Sequence, residues 1–405
     1  MTTIFAANNP QVLRFILPQS IIFAEKTSTM YIHQTDTWPH FNWDRSRIDP
    51  KLAAVNKATG YLEGILSSIG FDVKERAAVE AYTHDIVASS EIEGLLLNPD
   101  QVRSSIARRM GVQITGEVPY GHYVEGIVQM MMDAVQGYDK PLTDDRLFGW
   151  HCALFPNGRN GYEEINVGKY RVDEMNVISG ALGREKVHYH APAPERVPEE
   201  MNKFLKWFND PSTPRDYVKS AIAHFWFVCI HPFDDGNGRI GRAIADMALS
   251  QADNSPLRYF SMSRQIGQEK NKYYDMLERC QKGTTDISAW IEWYLDCMLR
   301  AIKGAEEILS SILDKAVFWQ NHSQADINER QRTVLNLFLD GNKGKLTAKR
   351  WAKLAKVSPD TAVRDVQYLA EIGILIPEEG KVRNIAYGIK ISDKRNLIPG
   401  PIEEE

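Results

Sequence analysis

The stretch "HPFDDGNGRIGR", residues 231 to 242, holds a histidine, two aspartates, an asparagine between glycines, and two arginines. The sequence on both sides is helical. In "DYVKSAIAHFWFVCI" (216 to 230), Val218, Ile222, Phe225 and Val228 recur at three- and four-residue steps with further apolar residues between them. A helix that is apolar all round is buried. After the stretch, "IGRAIADMALSQ" places Ile240, Ile244 and Met247 on one stripe. The twelve residues are therefore read as a loop between two core helices, with its glycines opening the second.

That setting suggests a chemistry. Gly236 and Gly238 let the backbone turn tightly and come close to a ligand. First-turn amides have no partner within the helix and, with the helix dipole, favour a phosphate there. Arg239 and Arg242 add fork-shaped cationic donors, and the side-chain amide of Asn237 is expected to donate to the same anion. Asp235 would repel a bare phosphate but suits Mg²⁺, which bridges carboxylate and phosphate oxygens. His231 has the ordinary pKa of a base working near neutral pH. Base, metal ligand, anion cradle and two arginines describe phosphoryl or nucleotidyl transfer. A solvated turn would account for "DDGNG" alone, but not for all twelve residues between two core helices.

The chain has 405 residues, 43% hydrophobic and 25% charged, an ordinary globular composition with room for two or three domains. The net charge of -5 argues against the whole chain being an electrostatic nucleic-acid binder. The charge is uneven: residues 326 to 395 hold 14 Lys and Arg against 9 Asp and Glu. Cys152, Cys229, Cys280 and Cys297 are widely spaced, and they read as core thiols of a cytoplasmic protein. No apolar run reaches the ~18 residues of a membrane span, so no membrane partner is expected. Residues 1 to 29 are expected to be a disordered extension or an upstream translation start, with Met30 as the true start.

Residues 31 to 49 read as an ordered irregular arm. A first helix is expected to start with Asp49 as N-cap and Pro50 at the first helical position. Helical patterns follow through "VKERAAVEAYTHDIVASSEIEG" (73 to 94), "DQVRSSIARRM" (100 to 110), "GHYVEGIVQMMMDAVQGY" (121 to 138) and "TDDRLFGWHCALFP" (143 to 156). Residues 159 to 195 change to a hairpin or loop. His188 and His190 there are alternate residues, too few for a metal site by themselves. Helices resume from Pro198 to Trp319. Beyond them, three short helices and a strand-turn-strand, with Thr347 and Ser358 as caps, read as a winged helix.

The stretch from His231 to Arg242 resembles the Fic (Fido) family, whose signature HxFx(D/E)GNGRxxR it matches at every defined position. "GKYR" (168 to 171), "VHYHAPAPERVPEEM" (187 to 201) and "KYYDMLE" (272 to 278) look like the family's flap and nucleotide-side elements. The resemblance implies a mainly α fold: a Fic helical core with a small β-hairpin flap, an N-terminal helical region and a C-terminal winged helix. The implied divisions are 1–29 extension, 30–110 N-terminal region, 111–305 catalytic domain, 306–325 linker, 326–395 winged helix and 396–405 tail.

The resemblance also implies protein adenylylation, in which AMP moves from ATP to a Ser, Thr or Tyr hydroxyl of a protein, the enzyme itself included. His231 would take the hydroxyl proton, and Asp235 would hold Mg²⁺ on the α- and β-phosphates. Gly236, Asn237 and Gly238 would cradle the phosphates, with Ile240 and Gly241 completing the binding turn. Arg239 would contact the β-phosphate and Arg242 the γ-phosphate. Val177, Ile178, Ser179 and Gly180 would form the flap, whose edge aligns the target segment as an added strand. Tyr273 and Tyr274, with Gln281, would border the adenine.

Ser89, Glu93 and Gly94 in "SSEIEGLLLN" (89 to 98) match the family's inhibitory motif, (S/T)xxxE(G/N). Ser89 and Glu93 lie one turn apart and share a helix face. The family reading pairs Glu93 with Arg242, taking the arginine from the γ-phosphate. Two alternatives stay open: removal of AMP at the same site, and a DNA-binding regulator using Arg364, Lys381 and Arg383 of residues 326 to 395. A homodimer is a further partner expectation.

Overall fold

The computed structural model describes residues 30–67, 71–114, 116–160, 163–180, 186–339, 345–378 and 385–389. The expected extension 1–29, the tail 396–405, and Lys381 and Arg383 lie outside these residues. Two compact units divide the chain, residues 1–62 with 78–305, and residues 63–77 with 306–405.

From the N-terminus, an arm with one 3-10 turn (Ile32–Gln34) leads into α1 (Arg45–Ser67), α2 (Phe71–Ile92), α3 (Pro99–Met110), α4 (His122–Gln136) and α5 (Asp144–Leu154). Short strands follow: β1 (Arg159–Asn160) with β2 (Glu163–Glu164), then β3 (Asn176–Ser179) with β4 (Lys186–His190), each pair antiparallel. Next come α6 (Val197–Asn209), α7 (Tyr217–Ile230), α8 (Asn237–Asp253), α9 (Met262–Gln268), α10 (Lys270–Cys280) and α11 (Ser288–Asn321). Among the described residues, no helix is long and apolar enough to cross a membrane.

The first unit is built around α7 and α8. Every residue of α7 is buried, as is α8 from Asn237 to Gln251. The apolar pattern of α7 accounts for this, and its one buried cation is satisfied. Lys219 Nζ donates to the Phe208 carbonyl at 2.7 Å and to Gln251 Oε1 at 2.8 Å, while burial lowers its pKa to about 8. Met130, Met131 and Met132 are buried packing residues of α4.

The arm is irregular but fixed at both ends. Ile32 N–H donates to the Gln281 carbonyl at 2.9 Å and Asn42 N–H to the Thr285 carbonyl at 3.0 Å. One boundary differs from expectation. α1 begins at Arg45, a turn before Asp49, and Pro50 lies inside it. Asp44 is the reason: its carboxylate accepts from Ser46 N–H at 2.9 Å and from the Ser46 hydroxyl, starting the helix early. Pro50 thus falls in the second turn, past the positions whose N–H has no helical partner, and takes one backbone bond from α1.

The second unit contains α12 (Glu329–Leu339), β5 (Leu346–Thr347), α13 (Ala348–Ala355), α14 (Pro359–Glu371), β6 (Leu375–Pro377) and β7 (Ala386–Ile389). The strands form one antiparallel sheet in the order β5-β7-β6. Thr347 and Ser358 cap α13 and α14, accepting from Arg350 N–H and Thr361 N–H. Around the core of Val334, Leu335, Trp351, Val366 and Leu369 lies one buried carboxylate, Asp365. It accepts from Arg330 Nε and Nη2, both at 2.9 Å, from Gln331 Nε2 at 3.0 Å and from Trp351 Nε1 at 3.1 Å. Burial alone would raise its pKa, but these donors outweigh it and hold it below the usual value.

Asp365→Ala strands those donors and should destabilise this unit by about 2–3 kcal/mol, read as faster amide exchange in α13 and α14. Because the folded value is depressed, the Asp365 contribution is complete above the ordinary carboxylate range near pH 4 and is lost as pH falls through the folded value. Acid should therefore shrink the difference between the variant and the parent protein.

Candidate functional site

His231 ends α7 in the left-handed region, with φ 51° and ψ 59°, and its N–H closes the helix on the Phe227 carbonyl at 2.9 Å. Its Nδ1 lies 3.1 Å from the Val228 carbonyl, which can only accept, so Nδ1 carries the proton and Nε2 the lone pair. Arg171, the last residue of "GKYR", fastens the loop from outside. Its Nε donates to the His231 carbonyl at 2.8 Å, its Nη1 and Nη2 to the Asp173 and Pro192 carbonyls, and its backbone N–H to the Pro232 carbonyl at 2.9 Å.

Phe233 is fully buried and stacks on the His151 ring at 4.4 Å between centroids. His151 Nδ1 accepts from Gly168 N–H at 3.1 Å, which leaves Nε2–H to donate to the Asp235 carbonyl at 3.2 Å. Burial lowers its pKa to about 4, so the ring is neutral at physiological pH. Asp234 Oδ2 accepts from Asn166 N–H at 3.0 Å and from Asn166 Nδ2 at 2.8 Å.

Asn237 corrects one expectation. Its side-chain Oδ1 accepts from Phe233 N–H at 2.9 Å, and its Nδ2 donates to the Phe233 carbonyl at 2.7 Å. The amide that was expected to face an anion instead closes the loop, because two buried backbone groups of Phe233 need partners. Only the Asn237 backbone remains for an anion.

Gly236, with φ 80°, is the N-cap of α8. Asp235 lies beside it, its carboxylate accepting from Gly236 N–H at 2.6 Å and from Asn160 Nδ2 at 2.5 Å. Arg239 is 2% exposed, with its guanidinium over the Phe155 ring at 5.0 Å. Among the described residues its Nε and Nη1 are buried without a hydrogen-bond partner, a costly state for a cation that an anion would relieve. Ile240 and Gly241 face the core, with Gly241 close against Val228 and Phe227 of α7, so the Ile240 side chain packs inward and Gly241 offers only its backbone.

The end of α2 meets the start of α8. Gly94 N–H bonds the Glu91 carbonyl and Leu95 N–H the Ser90 carbonyl, a Schellman turn with Gly94 at φ 81°. This turn directs the Glu93 side chain across α8. Arg242 Nη2 donates to Glu93 Oε1 at 3.0 Å and to the Ser89 carbonyl at 2.8 Å, and its Nε donates to Ser89 Oγ at 2.8 Å. Glu93 also lies over Gly238: a Cβ added there would stand 1.9 Å from Glu93 Oε1. The carboxylate therefore occupies the helix N-terminus, where an anion is favoured.

Beside this contact is a cavity of about 210 Å³. Glu93, Val228, His231 and Gly238 form one wall, Val177, Ser179 and His188 of the hairpin a second, and α10 the third. From α10 and just beyond come the expected Tyr273, Tyr274 and Gln281, together with Asn271, Asp275, Leu277 and Glu278. Ile178 is buried away from the cavity, as strand alternation requires, and neither it nor Gly180 lines it.

Arg171, His151 and Asn166 were not singled out from the sequence, and neither were Asn271, Asp275 and Glu278. "GKYR" signalled Arg171 and "KYYDMLE" the stretch that holds Asp275 and Glu278, but nothing local marks His151, Asn166 and Asn271.

The profile of the Fic/DOC family matches residues 141–249, and that of a domain of unknown function, DUF4172, matches residues 31–112. Two similar curated proteins are both named protein adenylyltransferase Fic. The one from Nematostella vectensis is 26% identical over 235 residues, covering 56% of this chain and 49% of that protein. The one from Drosophila melanogaster is 27% identical over 251 residues, covering 61% and 44%. The chain thus spans about half the length, or less, of these relatives. Among solved structures, a Fic family protein from Desulfovibrio desulfuricans G20 superposes with a TM-score of 0.50 at 19% identity, covering 85% of this chain and 98% of that one. The superposition supports the Fic fold, and the buried loop between α7 and α8 lies inside the matched segment. Residues 141–249 match the Fic/DOC family, and the chain has a fold like that of a solved Fic family protein.

Proposed function

We propose that the chain is an autoinhibited protein adenylyltransferase that moves AMP from ATP to a Ser, Thr or Tyr hydroxyl. One observation carries the reading: the Glu93 carboxylate lies on the α8 N-terminus and on Arg242, in the same cavity as His231. A carboxylate in a phosphate-shaped position is what a built-in inhibitor would place there. The name of the curated relatives, protein adenylyltransferase Fic, supports the activity.

In this reading, His231 Nε2 takes the proton of the attacking hydroxyl while Nδ1 stays bonded to Val228. The backbone N–H groups at the start of α8 cradle the phosphates. Arg239 answers the β-phosphate with its unpartnered donors, and Arg242 the γ-phosphate once Glu93 has left. Tyr273 and Tyr274 wall the adenine, with Gln281 beside them. The β3 edge from Val177 to Gly180 aligns the target segment.

Asp235 is the residue that would hold Mg²⁺. The described residues contain no group of three or more His, Cys, Asp or Glu able to hold a metal. One carboxylate at a helix N-terminus fits an ion that takes its other ligands from phosphate and water, and such an ion would neutralise charge on the phosphates. The domain division at 30–110, 111–305, 306–325 and 326–395, the last as a winged helix, belongs to the same proposal.

Glu93→Gly should raise incorporation of radiolabelled AMP into the protein and its targets by about tenfold or more. Incorporation no higher than in the parent protein would sink the inhibition reading. His231→Ala should lower transfer by about 10²–10⁴ with an unchanged melting temperature. If the site also removes AMP, with Glu93 positioning water, a pre-modified target will lose AMP faster with the parent protein than with the Glu93→Gly variant.

A second reading rests on Arg364, exposed on α14 behind the Ser358 cap. If the 326–395 region binds DNA, a gel shift with the whole chain should weaken with salt. Arg364→Ala should then reduce the salt slope by about 1.

A further inference from the structure

The hairpin carries a hydrogen-bonded line of three side chains that the transfer reading does not use. Ser179 Oγ of β3 lies 2.5 Å from His188 Nε2 of β4, and His188 Nδ1 lies 2.5 Å from Glu278 Oε2 of α10. All three line the same cavity as His231 and Gly238. The hairpin is irregular at this point. Val177 pairs with Tyr189 and Ile178 with Val187, so His188 falls in the bulge between those pairs. Bulges re-aim side chains, and this one turns the imidazole between Ser179 and Glu278.

Charge sets the proton positions. Glu278 Oε1 accepts from Lys282 Nζ at 2.6 Å, and Lys186 Nζ is 3.5 Å away. Burial would raise the Glu278 pKa, but the Lys282 and His188 bonds outweigh it and hold it at about 2. The carboxylate is therefore ionised and takes Nδ1–H, which leaves Nε2 to accept from the Ser179 hydroxyl. Hydroxyl, imidazole and carboxylate in this order make a nucleophile, its base and the group that orients the base. A brace tying the hairpin to α10 would need only the contact at Nδ1.

We propose that Ser179 is an acceptor of AMP within the protein itself, with His188 as its base and Glu278 orienting that base. The proposal rests on the transfer reading above and names one of its substrates. Ser179 Oγ forms a bond to the α-phosphorus of ATP in the cavity, and the anhydride bond to the β-phosphate breaks. Pyrophosphate leaves, and the hydroxyl proton passes to His188 Nε2, where the Glu278 carboxylate balances the charge. The product is an AMP ester on the wall of the nucleotide cavity, and it would crowd the next ATP.

The test uses full-length Glu93→Gly protein with ATP and Mg²⁺ in a cell lysate, read by peptide mass mapping. AMP is expected on Ser179 and absent from that peptide when Ser179→Ala is added. Adding His188→Gln should lower Ser179 labelling about a hundredfold relative to lysate proteins in the same sample. Adding Glu278→Gln instead should lower it about tenfold, so one misfolded variant does not decide the matter. AMP on lysate proteins but none on Ser179 overturns the proposal while the transfer reading survives. Ser179 labelling that is indifferent to both variants overturns the triad. AMP on nothing overturns the transfer reading, and the proposal with it.

Discussion

Arg242 is 2% exposed, and a guanidinium removed from water must be paired. Burial opposes its charge, yet Glu93, Tyr273 and Tyr274 outweigh that and raise its pKa. Its partners Ser89 and Glu93 come from the last turn of α2 and the turn that ends it, so the charge of one arginine fastens the C-terminal end of α2 to α8. The seam continues one turn further on. Asp246, four residues after Arg242, pairs with Arg258 at 2.6 Å, and Asp85, four residues before Ser89, is close enough to raise its pKa. Burial raises the Asp246 pKa, and Arg258 opposes that shift. Asp85 in turn accepts from the Ser261 and Ser263 hydroxyls and from Ser263 N–H.

The loop between α7 and α8 is rigid for a related reason. It is short, buried and rich in backbone groups with no helical partner, and each needs a donor or acceptor. Arg171, His151, Asn166 and Asn237 meet that need. The Val228 carbonyl holds the His231 imidazole in one tautomer before any ligand arrives, the preorganisation that the proposed proton transfer would use. Arg239 is the exception: it is buried like the others but has unpartnered donors, and it sits where the helix dipole already favours an anion.

The loop's place between two buried helices could be read from apolar spacing. So could the breaks at Gly94 and Gly236, since glycine is the residue that tolerates φ near 80°. The early start of α1 could not, because Asp44 outcompeted the Asp49–Pro50 pattern through its contacts to Ser46. Asn237 was legible as a residue of the candidate site but not as a loop closer. An amide side chain can face either way, and the unmet backbone groups of Phe233 decided which.

By itself, the sequence determined the helical framework and the residue types at 231 to 242 and at 89, 93 and 94 on which the proposed anion site rests. Those are local properties of spacing, turn chemistry and charge. Only the tertiary structure decided which distant groups share a cavity: Glu93 over Gly238, Arg171 under His231, and Ser179, His188 and Glu278 in line. Such contacts depend on how α2, the β3–β4 hairpin and α10 pack around α7 and α8. That packing is set by the sum of many buried contacts, which no short stretch of sequence contains.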